Sequence, residues 1–271
     1  MTPQFETKII PLIKHPEAQG YDRKGLALQS SLPTLSTALE GFERGELVSI
    51  TAPPGMGKTM LARTFCMDLI KQDVKCLYIS FELTYSQLLR MFKLSGLELS
   101  NHQDLVLSPL DYSERDIAFV EKVVEMNPLD VVVVDDIHSL EEKYSGFRNT
   151  DNMALVIRGL AQRLKNMAIK NNVVVITMAH MRKDAIDNKS SSLSEIAYSG
   201  GIAQVSDTVL SIKTEPETGY AIIEITKARW SGKKTKVKAK EDNKIFKELE
   251  FWEVEPDEVV KKFKSKSNGT H

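Results

Sequence analysis

LVSITAPPGMGKTMLARTF, residues 47–65, runs from an apolar stretch through a short Pro- and Gly-rich loop into a segment opened by Lys58-Thr59. Ala52-Pro53-Pro54-Gly55-Met56-Gly57-Lys58-Thr59 has the spacing of a phosphate-binding loop, with Ala at the first glycine position. A strand before it, Gly-Lys-Thr within it and a helix after it form the context this motif demands. Gly55 and Gly57 permit the close approach and unusual dihedrals by which consecutive N–H groups curl around a phosphate. Lys58 is expected to neutralise the β- and γ-phosphates, and the Thr59 hydroxyl to bind Mg²⁺. The following helix turns its positive end toward the anion. Pro54, Gly55, Met56, Gly57, Lys58, Thr59 and Met60 are therefore the candidate contacts for a nucleoside triphosphate, ATP, carried with Mg²⁺.

Working outward from the loop, Leu47–Ala52, Lys75–Phe81, Asp130–Asp135 and Asn172–Met178 are short runs rich in Val and Ile, as in central parallel strands. Helical periodicity covers Lys58–Lys71, Tyr85–Lys93, Glu114–Glu125 and Met153–Lys170. This alternation predicts an α/β fold, a mostly parallel sheet with helices on both faces. After Ser206 the pattern changes to consecutive strands, Thr208–Lys213, Gly219–Lys227, Lys234–Lys240 and Ile245–Glu253, which predict antiparallel edge strands.

Ligands of open α/β sheets sit at the carboxyl ends of the strands. VVVVDDIHSL delivers Asp135 to such an end, where a carboxylate holds the Mg²⁺ shell. Asp136 is its neighbour, and alternation along a strand predicts that only one of the two faces the site. Asp135 is the choice. CLYISFEL brings Glu82 to a second strand end, as a base for the attacking water. VVVITMAH brings His180 to a third, within reach of a γ-phosphate.

The chain has 271 residues, 42% hydrophobic and 27% charged, with a formal net charge of −1. These values fit one sizeable soluble domain and carry no bulk nucleic-acid signal. No run approaches the roughly 20 apolar residues of a membrane span, and the first 30 residues lack a secretory pattern. Cys66 and Cys76 lack metal-ligand spacing and are expected to be buried thiols in a reducing, cytoplasmic setting, whether of a cell or of a phage's host. The expected organisation is an arm over 1–30, one domain over 31–255, and a basic, disordered tail over 256–271.

Together these motifs resemble the RecA-like ATPase domain of hexameric replicative DNA helicases, the DnaB family and related phage primase-helicases. The resemblance runs from about Leu32 to Glu250. LPTLSTALEGFERGELVSITAPPGMGKT is similar to the family's entry segment, YISFEL to the segment with its catalytic glutamate, and VVVVDDIHSL to its Walker B strand. ITMAHMRK places His180 where phage members carry His and bacterial ones Gln. YSGGIAQVSDTVLSI and ITKARWSG, the latter resembling the family's Lys-x-Arg, are the most discriminating segments.

Lys227 and Arg229 stand two apart on a strand and so share a face, able to reach jointly toward a polyanion. The resemblance implies that this polyanion is the γ-phosphate of a neighbouring subunit, with Arg229 as the finger, and hence a homo-hexamer. It also implies that 141–152 and 181–194 line a channel for single-stranded DNA. Lys143, Arg148, Arg182, Lys183 and Lys189 are the cations there for sequence-blind phosphate contacts. KARWSGKKTKVKAK offers either further phosphate contacts or an edge ribbon made soluble by Lys.

Two departures stand out. Ala197 and Tyr198 occupy places where related helicases carry a basic residue. The 46 residues before the first strand are too few for the family's helical or primase domain, so a primase, loader or separate N-terminal-domain protein is an expected partner. The expected activity is an ATP hydrolase and DNA helicase moving 5′ to 3′. The alternatives are a RecA/RadA-type recombinase and a KaiC-like regulatory ATPase that ignores DNA.

Overall fold

Strand β1 (Leu47–Ala52) is buried along its whole length, and its alternation divides the core in two. Val48, Ile50 and Ala52 pack on one face of the sheet against α1 (Pro33–Leu39), α2 (Lys58–Ile70) and α3 (Tyr85–Leu94). Leu47 packs on the other, against α4 (Ile117–Met126), α5 (Met153–Asn171) and α6 (Gly200–Val205). A strand covered on both sides has no solvated face, which is why the run carries no charge and its two polar residues, Ser49 and Thr51, are buried and hydrogen-bonded. These relations come from a computed structural model that describes residues 26, 31–98, 105–109, 115–140, 153–180 and 200–249.

The remaining strands are β2 (Cys76–Ser80), β3 (Leu105–Pro109), β4 (Val131–Asp135), β5 (Val174–His180), β6 (Thr208–Thr214), β7 (Ala221–Ala228), β8 (Lys236–Asp242) and β9 (Ile245–Glu248). They form one nine-stranded sheet in the order β3-β2-β4-β5-β1-β6-β7-β8-β9. Neighbours from β3 to β6 run parallel; β6 to β9 run antiparallel. The predicted α/β architecture with antiparallel late strands is the one observed. The ends of β1, β4 and β5 are in register, Ala52 beside His180 and Val134 beside Thr177, so the loops that follow them converge.

Three described elements carry no clear sequence signal: α1, β3 and α6. Helix α1 has seven residues and α6 six, too short for helical periodicity to show. Leu26, within the expected arm, pairs with Phe42 through two backbone hydrogen bonds. The basic ribbon is not the sheet edge that its lysines suggest, because β9 covers β8. Several of its cations are paired within the chain: Lys233 with Glu40, Lys236 with Glu224 and Lys238 with Glu215. Both cysteines are buried free thiols.

Candidate active site

The chain leaves β1 at Ala52 and re-enters helix at Lys58, with Gly55 and Gly57 both at positive φ. At Gly57 the constraint is twofold. Its φ of 93° disfavours any side chain, and a Cβ there would lie 2.7 Å from Cζ of Phe246. Strand β9 thus closes over the loop, tied down by Arg63 donating to the Lys244 carbonyl and by Thr64 Oγ1 accepting from Phe246 N at 2.9 Å. At the far side of the loop, Thr214 Oγ1 donates to Met56 Sδ at 3.0 Å.

Lys58 is folded back into this nest. Its Nζ donates to the Ala52 carbonyl at 3.3 Å and meets His180 Nδ1 at 3.0 Å. Burial lowers its pKa, against the opposing pull of Asp136, Glu82 and Asp135. An ammonium has no acceptor, so His180 Nδ1 accepts and its proton sits on Nε2. That Nε2–H donates to Asp136 Oδ2 at 2.9 Å. His138 Nε2 in turn accepts from the His180 backbone N–H at 3.2 Å, and burial pushes the His138 imidazole below its ordinary pKa.

Thr59 Oγ1 donates to Asp135 Oδ2 at 3.2 Å, and the buried Tyr78 hydroxyl donates to the same oxygen at 2.9 Å. Burial raises the Asp135 carboxyl to about 6; the two hydroxyls pull it down, and Glu82 and Asp136 push it further up. A half-buried hydroxyl beside a buried carboxylate suits Mg²⁺, a hard cation that takes oxygen ligands and keeps its waters. Thr59 and Asp135 are therefore the residues that would hold it.

The expectation that only one of the two aspartates faces the site is corrected. Strand β4 ends at Asp135, and Asp136 is already the N-cap of a 3₁₀ turn over Ile137–Ser139, where strand alternation no longer applies. Asp136 accepts from Ser139 N at 3.0 Å and faces His180. Burial alone pushes its carboxyl up, but the His180 hydrogen bond and the charge of His138 prevail and hold it below the ordinary range.

Glu82 stands just beyond β2, its backbone N–H held by Ser80 Oγ at 3.3 Å. A capping box of Thr84 and Gln87 starts α3 immediately after it. Its Oε1 lies 3.9 Å from His180 Nε2 and its side chain is half exposed, facing the open side of the loop. Glu82, Asp136 and His180 place their ligand-type atoms within 4.8 Å of one another, a closeness the His180–Asp136 hydrogen bond explains.

Lys227 and Arg229 are elsewhere. Lys227 Nζ donates to the carbonyls of Ala203, Gln204 and Ser206, at 2.8, 3.3 and 2.5 Å, closing the C-terminus of α6. Arg229 Nη1 donates to Asp207 Oδ1 at 2.8 Å, and Asp207 bonds Leu47 at the start of β1. The phosphate loop begins at the other end of that strand, roughly 16 Å away at about 3.3 Å per residue. The structure therefore joins Lys58, Thr59, Glu82, Asp135 and His180 and leaves the Lys227–Arg229 pair at the opposite edge. The five candidate DNA-contacting cations, Lys143, Arg148, Arg182, Lys183 and Lys189, lie outside the described residues.

Tyr78, Asp136, His138 and Asp207 were not singled out as partners by sequence. The one available signal was that a Tyr inside an otherwise apolar strand needs a hydrogen-bond partner.

Known proteins are similar to this chain in sequence and in fold. The chain is 26% identical over 193 residues to the DNA repair protein RadA of Rickettsia conorii, covering 71% of this chain and 40% of that protein. It is 26% identical over 221 residues to the replicative DNA helicase DnaB of Treponema pallidum, covering 71% of this chain and 50% of that one. It thus spans half or less of the length of either relative. Among solved structures, a DnaB-like replicative helicase, described together with its interactions with primase, superposes with a TM-score of 0.73 at 19% identity. That match covers 86% of this chain and 66% of the other. The RadB recombinase superposes less closely, with a TM-score of 0.61 at 19% identity, over 83% of this chain and 100% of that one. The fold is accordingly that of the RecA-like ATPase domains of DnaB-like helicases. A family model described as an AAA domain matches residues 21–185, more than half of the sequence, and the chain belongs to that family.

Proposed function

We propose that this protein is an ATP-hydrolysing motor that assembles as a homo-hexameric ring and moves 5′ to 3′ along single-stranded DNA, as a DNA helicase of replication. The observation that carries the reading is the separation along β1. Loop, Glu82, Asp135 and His180 gather at one end, and the Lys227–Arg229 pair is held at the other. Across about 16 Å the pair does not serve the nucleotide of its own chain. It serves the next copy's, and a repeated head-to-tail contact of that kind closes into a ring where its rotation closes and winds into a filament where it does not.

In this reading the loop amides and Lys58 hold the phosphates, and Thr59 with Asp135 would hold Mg²⁺, which would supply positive charge against the phosphate oxygens. Glu82 orients and deprotonates the attacking water from the open side. His180 follows the γ-phosphate, because the phosphate competes with its Nδ1 for Lys58. Arg229 completes the site from the neighbour, a contribution of about 10³–10⁵ in rate for fingers of this type. The relatives named for replication and for DNA repair support single-stranded DNA as the track. The structural neighbour described with primase supports a primase or loader as a partner.

Complementation tests the trans arrangement. Lys58→Ala keeps its finger and loses its nucleotide; Arg229→Ala keeps its nucleotide and loses its finger. Alone, Lys58→Ala should be inactive and Arg229→Ala slower than the parent by about 10³–10⁵, and mixed assemblies should regain turnover. Mixed assemblies without recovered turnover refute the arrangement. Stimulation of turnover by single-stranded DNA, then unwinding of forks with 5′ rather than 3′ tails, separates the helicase from the other readings. Strand exchange on filaments would favour a recombinase, and indifference to DNA a regulatory switch.

A further inference from the structure

We propose that Asp207 is the positioning residue for Arg229: it holds the guanidinium in place between turnovers and releases it to the neighbouring nucleotide. Lys165 makes that release inexpensive. The inference rests on the trans reading of Arg229 given above.

Asp207 is fully buried, in the turn between α6 and β6, and its two carboxylate oxygens have different partners. Oδ1 accepts from Arg229 Nη1 at 2.8 Å. Oδ2 accepts from Lys165 Nζ at 2.6 Å and from Leu47 N at 2.9 Å. The Asp207 carbonyl also accepts from Arg229 N at 2.9 Å, so the finger is fixed at both backbone and side chain. The two cations differ in exposure. Lys165 is 14% exposed and is also anchored on the Gly45 carbonyl at 2.7 Å; Arg229 is 45% exposed.

Removing the sole partner of a buried carboxylate is strongly unfavourable. Here the departure of Arg229 leaves Asp207 with Lys165 and a backbone donor, so no buried charge is orphaned. A carboxylate meant only to pin Arg229 structurally would need no second, better buried cation on its other oxygen. The arrangement also fixes where the finger starts. Asp207 is bonded to the first residue of β1, and Lys165 belongs to α5, so Arg229 is referenced to the same strand that ends in the phosphate loop.

The test is a double-mutant cycle on the assembled protein, reading kcat, KM for ATP, binding of a fluorescent ATP analogue, and oligomeric state. Asp207→Asn keeps the shape and a neutral acceptor while removing the charge. It should lower kcat by about tenfold, the scale of a misplaced catalytic group. KM, analogue binding and oligomeric state should stay unchanged. On an Arg229→Ala background it should have no further effect, because there is no finger left to position. A merely structural Asp207 would instead weaken assembly and slow both backgrounds alike.

If Asp207→Asn does not fold, Lys165→Met serves. It leaves Arg229 as the sole cation on a buried carboxylate, so kcat should again fall about tenfold, and again only where Arg229 is present. Parent-like kcat in the folded variant, or an equal loss on the Arg229→Ala background, overturns the proposal. Slow turnover by Arg229→Ala beside parent-like Asp207→Asn removes the positioning role alone. Parent-like turnover by Arg229→Ala itself brings down the trans reading and this inference with it.

Discussion

Replacing Asp135 by Asn should make the nucleotide- and metal-free protein more stable while leaving it unable to turn over ATP. Asp135 is 2% exposed, and its Oδ2 accepts from Tyr78 and Thr59, two bonds that the amide oxygen of Asn can also accept. What the substitution removes is charge. Burial, followed by Glu82 and Asp136, raises the carboxyl from 3.8 to about 6 in the folded state. At about 1.36 kcal/mol per unit, this difference corresponds to about 3 kcal/mol. The sign follows from proton binding. Between 3.8 and about 6 the folded protein keeps a proton that the unfolded chain has released, so stability falls as pH rises through that window. Below 3.8 the penalty is absent; above about 6 it is complete. Urea unfolding in EDTA should therefore show parent and Asp135→Asn nearly equal at the acid end of that window. At pH 8 the variant should lead by up to about 3 kcal/mol. Added Mg²⁺·nucleotide should stabilise the parent and not the variant, since the cation supplies the charge that the burial of Asp135 leaves uncompensated. A difference independent of pH, or a variant less stable at pH 8, would show that the Asp135 charge is already satisfied in the folded protein.

Gly57→Ala places a Cβ at φ 93° and 2.7 Å from the Phe246 ring, so β9 or the loop must shift. Affinity for a fluorescent ATP analogue should fall by at least about tenfold, the factor of a 1.4 kcal/mol disturbance; unchanged affinity would mean that the loop does not depend on that contact. Phe246→Ala removes a ring that is only 5% exposed from between β9 and α2, and should destabilise the protein by about 3–5 kcal/mol in urea unfolding. Nucleotide saturation should offset part of the Phe246→Ala loss by mass action, measured as a rise in midpoint no larger than the parent shows.

The features legible in the sequence are mostly those that depend on residues close in the chain. The apolar β1, the Gly-Lys-Thr turn and the start of α2 are contiguous, and each local preference agrees with the others. Strand ends were legible too, because Glu82, Asp135 and His180 each follow a short Val- or Ile-rich run that has one place to go in a parallel sheet. The rule of alternation failed at Asp136 because it holds only inside a strand, and the strand stops one residue earlier. Partners that meet through topology left no trace. Asp207 and Leu47 are 160 residues apart, and Lys58 and His180 are 122 apart; their contacts exist only because β1 lies between β5 and β6. The short α6 was invisible for a related reason, since its C-terminal carbonyls are closed by Lys227 from β7 rather than by a cap of its own.

In the proposed ring, the position of β1 couples chemistry and assembly through one strand. Its C-terminal end feeds the loop that holds Lys58, and its N-terminal residue is hydrogen-bonded by Asp207, the partner of Arg229. A fully buried strand between two parallel neighbours does not stretch or slide by fractions of a residue, because every ladder bond and packed side chain would have to move with it. The distance from the loop to the backbone of Arg229 is therefore fixed within a protomer. Apart from the swing of the Arg229 side chain off Asp207, any change of distance between a finger and the phosphate it serves must be taken up between protomers. In the proposed ring, nucleotide state would then be communicated as rotation of one rigid domain against the next, the rigid-body class of transition in which small shifts at a site become discrete rearrangements of an interface.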